Sequence, residues 1–322
     1  MMNYNLRELN KLSQKCKFNR ASIEKVLRLA ELLKLFNTNK YLNKMYVLKG
    51  GTAINLCLFD LPRLSVDIDM NFILDCSAEK MLEIRTLHRQ VIRALVQQDG
   101  YTIDSKSRYS YTLDSYLLKY NDATGNIDNM KIELNYSNRI LILKPVNYEI
   151  KSKIIDNKYI LGMNKIELYG SKIAALIGRT TIRDVYDVFQ MISNQIISDD
   201  EMDKLRKCSI FYVLNSNEFR PIDKLLDQFR LNIENITFST IKRNLIPMLP
   251  LETNIDFNKL KSSVVEFIFS LFTITTDENQ YISFFNTGKY KPELLFDESV
   301  AKNVKNHPMV LWKMMKYNEF NN

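Results

Sequence analysis

Cysteine and histidine are scarce in this chain of 322 residues: Cys16, Cys57, Cys76 and Cys208, with His88 and His307. No cysteine pair has the close spacing of a zinc knuckle or a CxxC redox site. The two histidines stand far apart in sequence. A thiolate or imidazole metal centre is therefore not expected, and any catalytic metal should have oxygen ligands. His88 falls in a helical stretch and His307 precedes Pro308; each reads as a surface or helix-end histidine. Long apolar runs are missing too. The most apolar stretch, residues 264–274, is interrupted by Glu266, Ser270 and Thr273 and reads as a buried amphipathic helix, not a bilayer span. The first residues carry no signal-peptide pattern, so a cytoplasmic location and no membrane partner are expected. There is no internal repeat and no low-complexity tract.

What is present is an ordinary globular composition, 46% hydrophobic and 25% charged, long enough for two domains. The net charge is +8, and its placement matters more than its size. Residues 1–49 hold 11 Lys/Arg against 3 Asp/Glu, and residues 139–183 hold 9 against 3. Basic surface beside an acidic site suits a polyanionic substrate; a solvated surface without that role is the plain alternative.

Periodicity organises the chain into an α/β first half and a helical second half, joined near residue 160. Ile23, Val26, Leu27, Ala30 and Leu33 predict a helix over 21–36, and Met81, Ile84, Leu87, Val91 and Leu95 another over 79–97. Tyr46-Val47-Leu48 is a short apolar run entering a Gly-Gly turn. Residues 66–74 alternate as a half-buried strand does. Residues 109–120 and 130–136 flank the turn-rich 121–126 and predict an antiparallel hairpin, with further strands over 140–143 and 148–155. Asn164 and Glu167 resemble a capping box opening a helix whose apolar face is Ile166, Tyr169, Ile173, Leu176 and Ile177. Beyond it the periods are mainly helical, most clearly Leu260, Val264, Phe267, Ile268 and Leu271.

Three features carry chemistry. In Asp67-Ile68-Asp69, residues two apart on a strand project from the same face, so two carboxylates stand together with Ile68 buried behind them. Two like charges so placed gain from a cation between them, and Mg²⁺ suits carboxylate and phosphate oxygens. Upstream, Lys49-Gly50-Gly51-Thr52 places paired glycines before a helical stretch, where backbone N–H groups can approach a phosphate. Downstream, Glu133 sits between Ile132 and Leu134. It is a third carboxylate that could take a proton, ligate a metal or simply face solvent.

This ordering resembles the DNA polymerase β-type nucleotidyltransferases, and more closely the AbiEii / MenT toxin branch. Leu48-Lys49-Gly50-Gly51-Thr52-Ala53 is similar to that branch's opening motif. Arg63-x-Ser65-x-Asp67-Ile68-Asp69 is similar to its DxD signature. Lys172, Ala174-Ala175-Leu176, Arg179 and Arg183-Asp184-Val185-Tyr186-Asp187 are similar to its later block, with one extra residue before the Ala-Leu pair. The tail from Tyr290 to Phe296, His307-Pro308 and Trp312-Lys313 extends the likeness, which spans roughly residues 20–315. The superfamily usually has serine after the glycine and a shorter gap before the DxD; here Thr52 keeps the hydroxyl, and the long gap is that of the toxin branch.

The resemblance implies an α+β fold: a polymerase β-like core with a small mixed sheet over residues 1–160, then a helical domain over 161–322 contributing Lys172 and Asp184. It implies transfer of a nucleoside monophosphate from an NTP to an RNA acceptor, the tRNA 3′ end in defined members, blocking translation, with an antitoxin as partner. Asp67 and Asp69 would hold Mg²⁺, with Mn²⁺ as the other candidate. Lys49, Gly50, Gly51 and Thr52 would contact phosphates. Arg63 and Ser65 would contact phosphate or fix the aspartates, Lys172 would offset charge on pyrophosphate, and Asp184 would contact Lys172 or the nucleotide, or pair with a nearby arginine. A transferase acting on a small molecule or protein, and a non-catalytic nucleotide-binding module, are the competing readings.

Overall fold

The computed structural model describes residues 4–150, 155, 159–216 and 220–321. The chain divides into two units. One comprises Met1–Arg139, Pro145–Met163 and Met248–Thr253; the other comprises Ile140–Lys144, Asn164–Pro247 and Asn254–Asn322.

The first unit opens with α1 (Leu6–Cys16) and α2 (Arg20–Thr38). The strand β1 (Tyr46–Lys49) then leads into a short helix α3 (Gly50–Ala53), continued by a π-helical turn over Ile54–Leu58. After β2 (Asp67–Phe72) come α4 (Ala78–Gln98), β3 (Thr102–Ile103), β4 (Arg108–Tyr109), β5 (Leu113–Asn121), β6 (Ile127–Asn135), β7 (Val146–Glu149) and β8 (Tyr159–Gly162). Among the described residues these eight strands form one mixed sheet in the order β3-β5-β6-β2-β1-β8-β7, with β4 pairing β5. The pairs β2–β6 and β1–β8 are parallel and the rest antiparallel.

Alternation decides which face is covered. Ile68, Met70 and Phe72 of β2, Tyr116 and Leu118 of β5, and Met130, Ile132 and Leu134 of β6 are all buried. The helices lie over this face through one aromatic cluster: Tyr46 packs on Phe36 of α2, Phe72 of β2, His88 of α4 and Tyr136. His88 is thus buried, its Nδ1 2.8 Å from the Tyr46 hydroxyl, and not the surface histidine its sequence context suggests. Asp114 is also fully buried on this face, because Arg85 and Arg89 of α4 both pair with it. A carboxylate tolerates such a place only with opposite charge and hydrogen bonds around it.

The predicted hairpin is present, with one difference. Strand β5 begins at Leu113, and Arg108–Tyr109 forms the separate strand β4, folded back onto β5 by a turn at 110–112. Residues 122–126 close the hairpin; Asp122 Oδ1 accepts from the amides of Thr124 and Asn126, and Glu24 caps the amide of Ala123. Of the strand predicted over 148–155, β7 covers the beginning, and residues 151–154 lie outside the described residues.

The second unit is helical: α5 (Lys165–Arg179), α6 (Ile182–Ser193), α7 (Met202–Ser216), α8 (Ile222–Glu234), α9 (Phe238–Asn244), α10 (Phe257–Leu271), α11 (Thr276–Asn286), α12 (Glu298–Val304) and α13 (Pro308–Asn321). Close approach of α5 and α7 requires Gly170, where a Cβ would stand 2.7 Å from the Cys208 Cβ. His307 is buried here, its ring 5.1 Å from that of Phe211. It does stand at a helix end, immediately before α13, as one of the two readings had it, but not at the surface.

Two local expectations fail for one reason. Asn164 caps α5 through the amide of Ile166, but Glu167 does not close a capping box. Its carboxylate turns inward and accepts from the amides of Ile142 and Leu143, each at 2.9 Å, and from the Tyr212 hydroxyl at 2.7 Å. Residues 140–143 accordingly form no strand, since a side chain has taken the amides a neighbouring strand would have used.

Burial pushes the Glu167 carboxyl up to about 7, against the three donors that hold its charged form. Its ordinary value is 4.5, so between 4.5 and about 7 the folded chain binds a proton that the unfolded chain does not. Stability then falls as pH rises through that window and stays low above it. Glu167→Gln is expected to remove an acid-side gain on the order of 3 kcal/mol. Urea midpoints of both proteins across that pH range check this; parallel curves would assign the titration elsewhere.

Candidate active site

The site in the first unit is set by register. Lys49 of β1 stands opposite Asp69 of β2, Asp69 opposite Glu133 of β6, Glu133 opposite Ser115 of β5, and Ser115 opposite Arg108 of β4. Neighbours across a sheet share a face, so these five side chains form one row. Asp67 and Asp69 share that face while Ile68 is buried behind them, as alternation requires. The four acidic and basic groups nearest the centre, Lys49, Asp67, Asp69 and Glu133, are half-buried. Burial lowers the Lys49 ammonium from its usual range, and the Asp69 and Glu133 carboxylates oppose that shift.

The glycine turn is fitted to the aspartates. Gly50 has a φ of +70°, and a Cβ there would lie 2.8 Å from Asp69 Oδ2. A Cβ on Gly51 would lie 2.7 Å from Arg63 Nη2 and 3.1 Å from Ser65 Oγ. Thr52 is buried; its hydroxyl bonds the carbonyl oxygen of Asp67 and lies 3.0 Å from Ser65 Oγ. Asn55 is buried as well. Its Nδ2 donates to the Gly51 carbonyl at 2.6 Å, and its Oδ1 accepts from the Arg63 amide. Arg63 is buried and donates through Nη1 to the Leu64 carbonyl. Thr52, Arg63 and Ser65 therefore back the turn from inside and brace it against the start of β2.

Glu133 has company that sequence reasoning missed. Lys131 Nζ lies 2.6 Å from Glu133 Oε1, and Ser115 Oγ donates to the same oxygen at 3.2 Å. Among the described residues no group of three His, Cys, Asp or Glu side chains is gathered for a metal ion. Two same-face carboxylates remain. That donor set fits a hard divalent ion whose other ligands are water and nucleotide oxygens, which is how Mg²⁺ is commonly held.

A second cluster lies wholly within the helical unit. Lys172 of α5 is buried between Asp184 at 2.8 Å and Asp187 at 3.0 Å, both on α6. Asp184 also accepts from Arg179 Nε at 2.7 Å and from the Thr181 hydroxyl at 2.7 Å. Burial raises the Asp184 carboxyl, but Lys172 and Arg179 outweigh it and hold it well below the usual carboxylate range. Of the three partnerships considered for Asp184 from sequence, the structure shows two, with Lys172 and with a nearby arginine, Arg179. Asp187 is an addition: three residues beyond Asp184, it faces the same way on the helix. Asn55 and Lys131 gave no such signal.

The fold as a whole is that of a nucleotidyltransferase toxin. The MenT4 nucleotidyltransferase toxin from Mycobacterium tuberculosis H37Rv superposes with a TM-score of 0.61 at 17% identity, over 94% of this chain and 98% of that one. The sequence also matches, over residues 32–266, the family described as nucleotidyl transferase AbiEii toxin of type IV toxin–antitoxin systems, and this chain belongs to that family. A search of curated proteins gives no match. The α+β architecture read from sequence is shown by this likeness, and the family makes the chain a nucleotidyltransferase toxin with an antitoxin as counterpart. Among the described residues no helix is long and apolar enough to cross a membrane.

The turn offers a direct test. An L-residue at the Gly50 φ costs about 1–2 kcal/mol before the contact with Asp69 is counted. Gly50→Ala is expected to lower stability by at least that amount and to weaken triphosphate binding. Urea denaturation and nucleotide titration check it; wild-type values in both would mean that Asp69 does not depend on this turn.

Proposed function

We propose that this chain transfers a nucleoside monophosphate from an NTP to the 3′ hydroxyl of an RNA in the cytoplasm, with the tRNA end as acceptor, and so blocks translation. The observation that carries this is the row in which Lys49, Asp69 and Glu133 stand side by side against the Gly50 turn. Asp67 and Asp69 would hold Mg²⁺. When bound, such an ion would supply positive charge against the triphosphate.

The chain's own groups do the rest. Backbone N–H groups at Gly50 and Gly51 bind phosphate oxygens, and the missing side chains let the turn pack against Asp69, Arg63 and Ser65. Thr52, Ser65 and Arg63 keep the turn in contact with β2. Lys49 adds positive charge at the row's inner end. In this reading Glu133 does not ligate the ion; it holds Lys131 beside the site, where an acceptor phosphate would meet it. Within the helical unit Asp184 and Asp187 hold the Lys172 ammonium in place. The basic segments at 1–49 and 139–183 favour a polyanionic acceptor over a small one.

The test is incubation of the purified protein with total tRNA, Mg²⁺ and each NTP labelled at its α-phosphate, followed by mapping of the labelled 3′ end. Asp69→Asn is expected to lose on the order of a thousandfold in rate, as removal of a group stabilising transition-state charge does. Glu133→Gln should lose less, and chelation of the divalent ion should abolish transfer. RNA labelling should also fall steeply with added salt. Near wild-type transfer by Asp69→Asn would overturn the site, and labelling of small acceptors alone would overturn the RNA assignment.

A further inference from the structure

The catalytic row does not stop at Glu133. The face bearing Asp69 continues outward over β6, β5 and β4, and it is open. Ser115, Leu117 and Lys119 of β5 and Asn129, Lys131 and Glu133 of β6 are half-buried or exposed, while the residues alternating with them are mostly buried. At the outer end Arg108 shares the row with Asp69, three strand spacings away, or about 14 Å.

The segment at that edge, Lys106-Ser107-Arg108-Tyr109-Ser110-Tyr111, holds two cations, two aromatics and no acid. Tyr111 is 60% exposed and Tyr109 41%. Tyr109 has packing reasons for its place: its ring meets Tyr116, and the Arg89 guanidinium lies 5.0 Å from its centroid. Tyr111 has no ring contact among the described residues. Yet the loop that carries it is fixed, because buried Arg85 donates to the carbonyl oxygens of both Ser110 and Tyr111 while paired with Asp114. A clamped loop that presents an aromatic ring to solvent beside exposed cations is a preorganised surface. Aromatic faces with Lys and Arg around them are what unpaired nucleic acid strands bind, through base stacking and phosphate contact.

We propose that this edge docks the unpaired 3′ segment of the acceptor RNA, with Tyr111 stacking a base and Arg108 and Lys106 taking phosphates. From there the strand runs inward past Ser115 and Lys131, and its terminal hydroxyl arrives at Asp69. The inference rests on the RNA acceptor proposed above and adds a length requirement. At a stacked rise of about 3.4 Å per nucleotide, 14 Å corresponds to about four unpaired nucleotides.

The experiment uses fluorescein-labelled RNA hairpins sharing one stem, with 3′ overhangs from none to about six nucleotides, and reads both anisotropy and nucleotide transfer by the full chain. Wild-type affinity is expected to rise with overhang length and level off near four. Tyr111→Ala is expected to weaken binding of the long overhangs about tenfold and to flatten the length dependence. Arg108→Glu should do the same, and Tyr111→Phe should keep wild-type behaviour. Thermal unfolding and titration with NTP alone should be unchanged in all three, since both side chains are exposed and remote from the glycine turn. Wild-type and Tyr111→Ala proteins labelling every overhang equally would overturn this inference and leave RNA transfer standing. Failure of the wild type to bind any hairpin would overturn both.

Discussion

The structure depends on holding like charges together on one sheet face. Asp67 and Asp69 stand two residues apart on β2, with Glu133 beside Asp69 on β6. In water such carboxylates would separate; a strand leaves them no freedom to do so. The sheet offsets this by registering Lys49 next to Asp69 and placing Lys131 against Glu133. Two carboxylates are left partly exposed on the open face, and the aromatic and aliphatic core behind them is what makes the arrangement rigid.

Elsewhere the protein treats buried carboxylates in the opposite way and satisfies them fully. Asp114 has two arginines, Asp184 has Lys172, Arg179 and Thr181, and Glu167 has two amides and a tyrosine. Each fixes irregular backbone or a helix pair: the turn at 110–112, the α5–α6 corner, and the strandless segment at 140–143. The contrast is informative. Where a carboxylate does structural work it is buried and surrounded by donors, whereas Asp67, Asp69 and Glu133 stand half-buried on the open face of the sheet.

How much of this was legible in the sequence follows from how local each feature is. The helices α2 and α4, the strands β1 and β2 and the hairpin β5–β6 show in periodicity because their apolar faces repeat over many residues. The same-face aspartates follow from alternation alone. The row Lys49–Asp69–Glu133–Ser115–Arg108 does not, because it needs the strand order, and β2–β6 is a parallel pair between segments some sixty residues apart in the chain. Strands of two residues such as β3 and β4 have no period to detect. Glu167 carries the spacing of a capping box but finds better partners in tertiary structure, and both histidines are buried because rings far away in sequence receive them.

The long gap between the glycine turn and the aspartates now has a physical account. A shorter connection would pass directly from α3 to β2. Here the chain first makes the π-helical turn over Ile54–Leu58 and then returns through Arg63, Leu64 and Ser65. That detour supplies what braces the turn. Asn55 ties the Gly51 carbonyl to the Arg63 amide, Arg63 and Ser65 fill the space a Gly51 side chain would take, and the Leu64 amide is anchored on the Met248 carbonyl. Thr52 then completes the brace by bonding the backbone of Asp67 itself. Thr52 is sealed inside the protein, and its hydroxyl is used on that carbonyl. The residues between the glycine turn and β2 thereby hold the turn's backbone at a fixed distance from the carboxylates.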